Sequence, residues 1–199
     1  MNGTETTQAL ASPAGGAGGG PLLCEVAWEV CQQLGGIYTV VRSKVPSMVR
    51  QWGRDYCLVG PYNPGVSGVE FEETPPAGPF GAAVKTLKKA GFDAHYGRWL
   101  ITGRPAVVLL NPQSVFNILG EIKYLLWEHH GISILKHDHL LDQVVAFGFL
   151  VEEFFRVLST QEAAGRRVIG HFHEWMAASA IPALRRAKLP VGIVFTTHA

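Results

Sequence analysis

The sequence lacks the features that mark membrane, secreted and nucleic-acid-binding proteins. Among its 199 residues there is no apolar run of the length that a membrane-spanning helix requires. Residues 1–20 have neither the basic start nor the apolar middle of a secretory signal. Charged residues make up only 17% of the chain, the net charge is +1, and no basic block or stripe is present. This composition argues against nucleic acid and membranes as partners.

Cysteine is scarce, and its spacing excludes the usual disulfide and metal frameworks. The chain has three cysteines, Cys24, Cys31 and Cys57, and no CxxC pair among them. An odd number of cysteines, two of them inside apolar runs, is typical of reduced thiols in a protein core. We therefore expect a cytoplasmic protein.

Three familiar catalytic loops are also missing. There is no GxSxG turn around a nucleophilic serine, no GxGxxG dinucleotide loop and no Walker A phosphate loop. The sequence therefore gives no support to a serine hydrolase, a nicotinamide-dependent dehydrogenase or a kinase.

What the sequence does contain is an alternation of strand and helix patterns over most of its length. Residues 1–20 are rich in glycine and alanine and predict a disordered tail, whereas residues 21–199 carry the apolar patterning of one domain. Apolar runs predict strands at 22–27, 56–60, 95–101, 106–110, 168–170 and 191–195. Helical spacing predicts helices at 37–44, 81–90, 115–128, 140–158 and 175–188.

Details of this pattern fix the fold class. Pro46 is expected to kink or end the first helix, and the Pro/Gly-rich residues 61–79 are expected to be a loop. A Gly-Arg-Pro turn at 103–105 joins two strands into a predicted antiparallel hairpin. The remaining alternation predicts an α/β fold with a parallel sheet flanked by helices.

Three of the predicted strands are followed by residues that could contact a ligand, either glycines or polar side chains. They occur at Gly35 and Gly36, at 171–174, and at 196–198. Because ligands of open parallel sheets bind beyond the carboxyl ends of the strands, these are the candidate binding edges. Glycines before a helix can bring backbone N–H groups close to an anion, although they also serve ordinary turns.

The second of these edges, His171-Phe-His-Glu174, offers groups for acid–base or hydrogen-bonding chemistry. Strand alternation places His171 and His173 on one side and Phe172 on the other. A histidine and a carboxylate at a strand end suit proton transfer or hydrogen bonding, and Glu174 is therefore a candidate beside His173. The alternative interpretation is a structural histidine that bonds a neighbouring backbone group.

A second group of histidines raises the possibility of a metal site. Its members lie close together in sequence with two acids: His129, His130, His137, Asp138, His139 and Asp142. Their spacing matches neither an HExxH motif nor a zinc-finger pattern, and no cysteine joins them. We interpret them as exposed loop histidines and predict no metal ligands in the chain.

Seven short motifs resemble the N-terminal half of eukaryotic-type glycogen synthase, in the order in which that family carries them. The resemblance runs from about Leu22 to the end of the sequence. The motifs are EVAWEV at 25–30, GGIYTV at 35–40, LVGPY at 58–62, GRWLI at 97–101, FGFL at 147–150, HFHEW at 171–175 and FTTHA at 195–199.

This resemblance implies a fold and an activity. The family's fold is GT-B, in which two Rossmann-like domains face each other across a cleft that holds the nucleotide sugar. Its activity is the transfer of glucose from UDP-glucose to the non-reducing end of an α-1,4-glucan, glycogen, with retention of configuration and without a cofactor. It also implies a cytoplasmic enzyme whose full-length members form homo-oligomers and work with glycogenin.

The resemblance also assigns roles to particular residues. His173 matches the family's active-site histidine, which hydrogen-bonds the glucose being transferred, and His198 matches a histidine on the nucleotide-sugar side of the cleft. Gly35 and Gly36 would present backbone N–H groups to the donor diphosphate or sugar. Gln33 stands where the family usually has lysine or arginine. Loss of that charged contact weakens donor binding by about 1–3 kcal/mol.

The resemblance covers only part of a family member. The sequence stops at Ala199, before the C-terminal nucleotide-binding domain that supplies most of the uridine pocket and the cationic pair for the leaving diphosphate. We therefore expect a truncated N-terminal domain with little or no activity of its own. The alternative is a non-enzymatic fragment that associates with full-length synthase or with glycogen through an exposed sheet edge.

Overall fold

A seven-stranded sheet forms the centre of the computed structural model, which describes residues 19–65, 67–134 and 138–198. The predicted disordered tail lies almost entirely outside these residues. The strands are Leu22–Ala27 (β1), Tyr56–Pro61 (β2), Phe71–Glu73 (β3), Ala94–Trp99 (β4), Ala106–Leu110 (β5), Val168–His173 (β6) and Val191–Thr196 (β7). Their order across the sheet is β3-β4-β5-β2-β1-β6-β7.

The directions of the strands confirm the predicted α/β class. The strands β5, β2, β1, β6 and β7 run parallel. The predicted hairpin is confirmed, since β4 pairs antiparallel with β5. One prediction was wrong: residues 61–79 contain β3, which pairs antiparallel with β4 at the edge. Only Phe71 of its three residues is buried, so β3 leaves almost no apolar pattern in the sequence.

Strand β1 lies inside the sheet and is buried on both faces, as expected for a parallel strand between two layers of helices. Leu22 and Val26 belong to the hydrophobic cluster on one face, and Leu23 and Ala27 belong to the cluster on the other. Glu25 is the exception, because it is a charged residue with 0% exposure in the middle of this strand. Its partners define the candidate site described below.

Six helices flank the sheet in the described part of the chain. They are Gly36–Trp52 (α1), Gly78–Lys89 (α2), Leu119–His130 (α3), His139–Val157 (α4), Glu174–Ala178 (α5) and Ile181–Arg186 (α6). Helix α1 contributes Tyr38, Val41 and Val45 to one hydrophobic cluster. The other helices pack on the opposite face of the sheet, where α4 is the most extensively buried.

The helix boundaries correct three predictions. Helix α1 continues through Pro46 to Trp52, and its buried apolar face offsets the backbone hydrogen bond that proline cannot make. The region predicted as one helix at 115–128 begins with a 3₁₀ segment, Pro112–Ile118, before α3 starts. The segment predicted as one helix at 175–188 is split into α5 and α6. Pro182 lies in the first turn of α6, a position that suits a helix start.

In the described ranges, no helix combines the length and the apolarity that crossing a bilayer requires.

Candidate functional site

The candidate site lies where the carboxyl ends of three parallel strands meet. His173 ends β6, and the sheet register places it between Ala27 of β1 and Thr196 of β7. Two of the three polar edges predicted from sequence therefore lie side by side, because β6 and β7 are neighbours. His173 and His198 are in direct contact, with Nδ1 of the first 2.9 Å from Nε2 of the second.

Glu25 organises the floor of this site. Its Oε1 lies 2.6 Å from Nε2 of His173, and the same carboxylate contacts Nζ of Lys44 and the hydroxyl of Tyr56. Sequence reasoning assigned Glu25 no role. A single acid inside an apolar strand is nevertheless a usable signal, because a buried charge requires partners from elsewhere in the fold.

These partners decide the charge of Glu25. Burial by itself raises the pKa of this carboxyl, but the hydrogen bonds from His173, Lys44 and Tyr56 outweigh it and lower the pKa to about 2. Burial and the neighbouring carboxylate raise the pKa of the Tyr56 phenol well above its ordinary value. At neutral pH the floor therefore contains an ionised Glu25 and a protonated Tyr56 that donates to it.

His171 lies beside His173 on the same face, as the strand alternation predicted. The two ring centroids are 4.3 Å apart, and Nε2 of His171 is 2.8 Å from the Thr196 hydroxyl. Burial, with a further contribution from His173, lowers the pKa of His171 to about 4. This imidazole is therefore neutral at physiological pH.

Glu174 holds His198 in place. Its Oε1 accepts a hydrogen bond from the backbone N–H of His198. The backbone of Glu174 has a φ of 62°, which is a strained conformation for a residue other than glycine. The structure thus brings together His173, Glu174 and His198, which the sequence analysis had selected as candidates.

The exposure of the two histidines differs in a way that matters for ligand contact. His173 is only 2% exposed, and both of its ring nitrogens face partners within the protein, Glu25 and His198. His198 is partly exposed. His198 is therefore the more accessible of the two imidazoles.

The glycine turn forms a separate cluster at the same edge of the sheet. Oε2 of Glu29 accepts hydrogen bonds from the N–H groups of Gly35, at 2.6 Å, and of Tyr38, at 3.2 Å. The Gly35 amide predicted to bind the donor is thus already bonded to a carboxylate of the same chain. Gly36 makes no such contact with Glu29, and no described contact links this turn to the histidines.

Gln33 belongs to the glycine-turn side of the edge. Its exposed side chain lines a depression of about 470 Å³. Arg42 of α1 lines the same depression, which therefore contains a cationic group as well as the neutral Gln33. Arg42 donates a hydrogen bond to the Tyr38 hydroxyl at 3.1 Å, which fixes its position.

The second histidine group was considered as a metal site in the sequence analysis. His137 lies outside the described residues. His129 and His130 end α3, and His139 opens α4 after its cap, Asp138. The potential metal ligands that converge in the described part of the chain are instead found in the candidate site. They are Glu25, His171 and His173, whose ligand atoms lie within 4.8 Å of one another.

Lys44 bears on whether that trio could hold a metal ion. Its ammonium already contacts the Glu25 carboxylate and supplies the positive charge that a metal would bring. A metal ion at the same oxygen would meet electrostatic repulsion from this ammonium.

Comparison with known proteins gives one family. Residues 25–199 match the family model described as glycogen synthase. The chain is 39% identical over 180 residues to the liver glycogen [starch] synthase of Homo sapiens. It is 37% identical over 179 residues to glycogen [starch] synthase of Neurospora crassa, and 37% over 187 residues to isoform 1 of Saccharomyces cerevisiae. Each alignment covers 89% of this chain, which spans about a quarter of the length of these curated relatives.

Proposed function

Because the chain belongs to the glycogen synthase family, we propose that its residues form one wall of a site for glucosyl transfer from UDP-glucose to glycogen. In this reaction the bond between the anomeric carbon and the diphosphate breaks, and a bond to the 4-hydroxyl of the glucan forms with retention. UDP leaves, and the hydroxyl proton is released. The observation that carries the proposal is the contact between His173 and His198 above the buried Glu25.

The histidines suit the sugar end of the donor. His198 is partly exposed and held by Glu174, so its imidazole is positioned to hydrogen-bond a sugar hydroxyl. His173 supports it from behind and becomes a direct sugar contact only if His198 moves aside. Fixed polar groups of this kind orient a substrate and reduce the entropy that must be lost during reaction.

The glycine turn suits the diphosphate end, with one modification. An incoming phosphate would meet the Glu29 carboxylate, which already occupies the Gly35 amide. We propose that the donor is bound by Gly36 and the start of α1, with Gln33 as a neutral hydrogen-bonding neighbour. Binding here is weaker than with a lysine or arginine in place of Gln33, by about 1–3 kcal/mol.

We expect the 199-residue chain to bind UDP-glucose but to transfer glucose poorly, if at all. Stabilising the leaving diphosphate requires positive charge. The charge of Lys44, the lysine beside the histidine cluster, is already used by Glu25. Incorporation of radiolabelled glucose into glycogen measures this directly, and efficient transfer by the chain would contradict it.

Titration of the isotopically labelled chain with UDP-glucose, followed by NMR, tests the binding site. We expect chemical-shift changes at Gly36, Glu174 and His198, and little change along α4. The variant His198→Ala should weaken binding about tenfold, which corresponds to one hydrogen bond of about 1.4 kcal/mol. His139→Ala, which removes an exposed histidine of the second group, is the matched control. Shift changes confined to residues away from the sheet edge would refute the proposed site.

A second candidate function is association through the β7 edge. Among the described residues, strand β7 pairs only with β6, and its Val194 and Phe195 are 47% and 48% exposed. An exposed apolar edge strand favours pairing with another chain. Sedimentation analysis tests this idea, since Val194→Lys should convert a concentration-dependent oligomer into a monomer. A wild-type chain that is monomeric at all concentrations would exclude it.

Three further proposals follow from the resemblance. The acceptor is glycogen, the partners are glycogenin and further copies of the chain, and the location is the cytoplasm. The three buried free thiols, Cys24, Cys31 and Cys57, support a reducing compartment.

A further inference from the structure

We propose that Glu25 is a positioning residue that determines which nitrogen of His173, and through it of His198, carries the proton. The inference rests on the proposed function for the identity of the ligand that His198 meets. The protonation pattern itself can be measured without any ligand.

The first step is the orientation of the Glu25–His173 contact. Glu25 has 0% exposure, and two of its partners, the Lys44 ammonium and the Tyr56 hydroxyl, donate hydrogen bonds to it. An ionised carboxylate can only accept. Nε2 of His173, at 2.6 Å, must therefore carry a hydrogen and donate it to Glu25.

The second step determines which nitrogen of His198 carries the hydrogen. In the neutral form of His173 one nitrogen donates and the other accepts, so when Nε2 donates to Glu25 the Nδ1 accepts. Nε2 of His198 lies 2.9 Å from it and must be the donor. The ring centroids are 5.1 Å apart and the ring planes 26° apart, so the two nitrogens lie close to the line that joins the rings, as a hydrogen bond between them requires. Nδ1 of His198 is consequently left as an unprotonated acceptor.

Lys44 makes this arrangement stable. Without its positive charge, the buried Glu25 carboxylate would favour a second proton on His173. A doubly protonated His173 donates from both nitrogens and forces His198 to accept, which reverses the polarity at the exposed ring. The other ionisable groups that face the pair are Tyr56 of β2, His171 of β6 and Glu174 of α5.

The consequence is a preference for one kind of ligand group. An acceptor nitrogen at His198 pairs with a hydroxyl that donates, such as a sugar hydroxyl. It repels the oxygens of a phosphate, which also accept. The sugar is therefore expected to bind beside His198, and the phosphates are expected to bind at the glycine turn.

Long-range NMR of the histidine ring nitrogens tests the inference in the full chain, since protonated and unprotonated nitrogens have well-separated shifts. At neutral pH we expect the Nε2–H form for both His173 and His198. Glu25→Leu removes the acceptor and should give a mixture of the two forms at His173. Glu25→Gln keeps a carbonyl acceptor at that position and should restore the wild-type form.

Two further variants complete the design. Lys44→Met should place hydrogens on both nitrogens of His173 at a pH where the wild type carries one, so the inference is testable even if Glu25→Leu fails to fold. Glu152→Leu removes a partly buried carboxylate that pairs with Arg156 one turn further along α4, and it should leave both histidines unchanged. An unaltered His173 pattern in Lys44→Met and in a folded Glu25→Leu would overturn the inference.

Ligand titrations separate this inference from the proposed function. In Glu25→Leu, UDP-glucose affinity should fall about tenfold, with recovery in Glu25→Gln. One outcome is that the variants change the protonation patterns of the histidines as expected but the wild type does not bind UDP-glucose. This outcome would refute the proposed function and leave the positioning role intact. Normal UDP-glucose binding by a wild type with the opposite protonation pattern would refute the positioning role alone.

Discussion

Acidification is expected to destabilise the protein through His171 at a higher pH than through Glu25. In the unfolded chain this histidine has its ordinary pKa of 6.5, whereas in the fold burial and the neighbouring His173 lower the pKa to about 4. Between these two values the unfolded state binds more protons than the folded state. Stability is therefore complete above about pH 6.5 and is lost progressively as the pH falls to about 4.

The magnitude follows from the two pKa values. They differ by about 2.5 pH units, and each unit corresponds to about 1.4 kcal/mol. The expected loss in the free energy of unfolding is about 3 kcal/mol, which is a large part of the 5–15 kcal/mol typical of a domain. The pKa of Glu25, about 2, places the loss of its contribution at lower pH, between about 4.5 and 2.

Urea denaturation at a series of pH values from 7.5 to 4.5 measures this loss. His171→Gln removes the titrating group and keeps a side chain able to bond the Thr196 hydroxyl. Its stability should fall less than that of the wild type over this range. The control is His139→Gln, which removes an exposed imidazole at the start of α4. Its free energy of unfolding should decline with pH as much as that of the wild type. An undiminished decline in His171→Gln would refute the argument.

Two further predictions concern the core. Gly97→Ala should lower the free energy of unfolding by about 3 kcal/mol in urea denaturation, because a Cβ at this position of β4 would lie 2.1 Å from the carbonyl oxygen of Glu72. Gly68→Ala, where a Cβ would meet nothing within 4 Å, is the control, and equal stability of the two variants would contradict the packing argument. Burial raises the pKa of Cys24 and of Cys57, so neither thiol should react with alkylating reagents until urea unfolds the chain. Rapid labelling of the native protein would show that the core opens.

Most of the fold could be predicted because its strands are buried on both faces. Such strands, β5 for example, are continuous apolar runs with polar boundaries, and their limits are readable in sequence. The segment β3 was missed because it is short and buries one side chain. The division of 175–188 into two helices was missed although Pro182 marks the second start.

The candidate site was only partly predictable, for a physical reason. His173, Glu174 and His198 follow strand ends, so the rule for parallel sheets was sufficient to place them at one edge. The contact between Glu25 and His173 joins residues from opposite ends of the chain, and no local pattern encodes it. The hydrogen bond from Gly35 to Glu29 depends on a side chain folding back on its own loop, which spacing alone does not reveal.

The position of β1 in the sheet has a consequence for how the chain folds as it is made. One edge of β1 pairs with β2, as Val26 does with Val59, early in synthesis. The other edge pairs with β6, as Val26 does with Phe172, and stays open until β6 has been synthesised and has emerged from the ribosome. Because non-local strand pairing is slow, the half of the sheet that carries the histidines assembles last. Until then, the nascent chain presents an open strand edge that neighbouring nascent chains can bind.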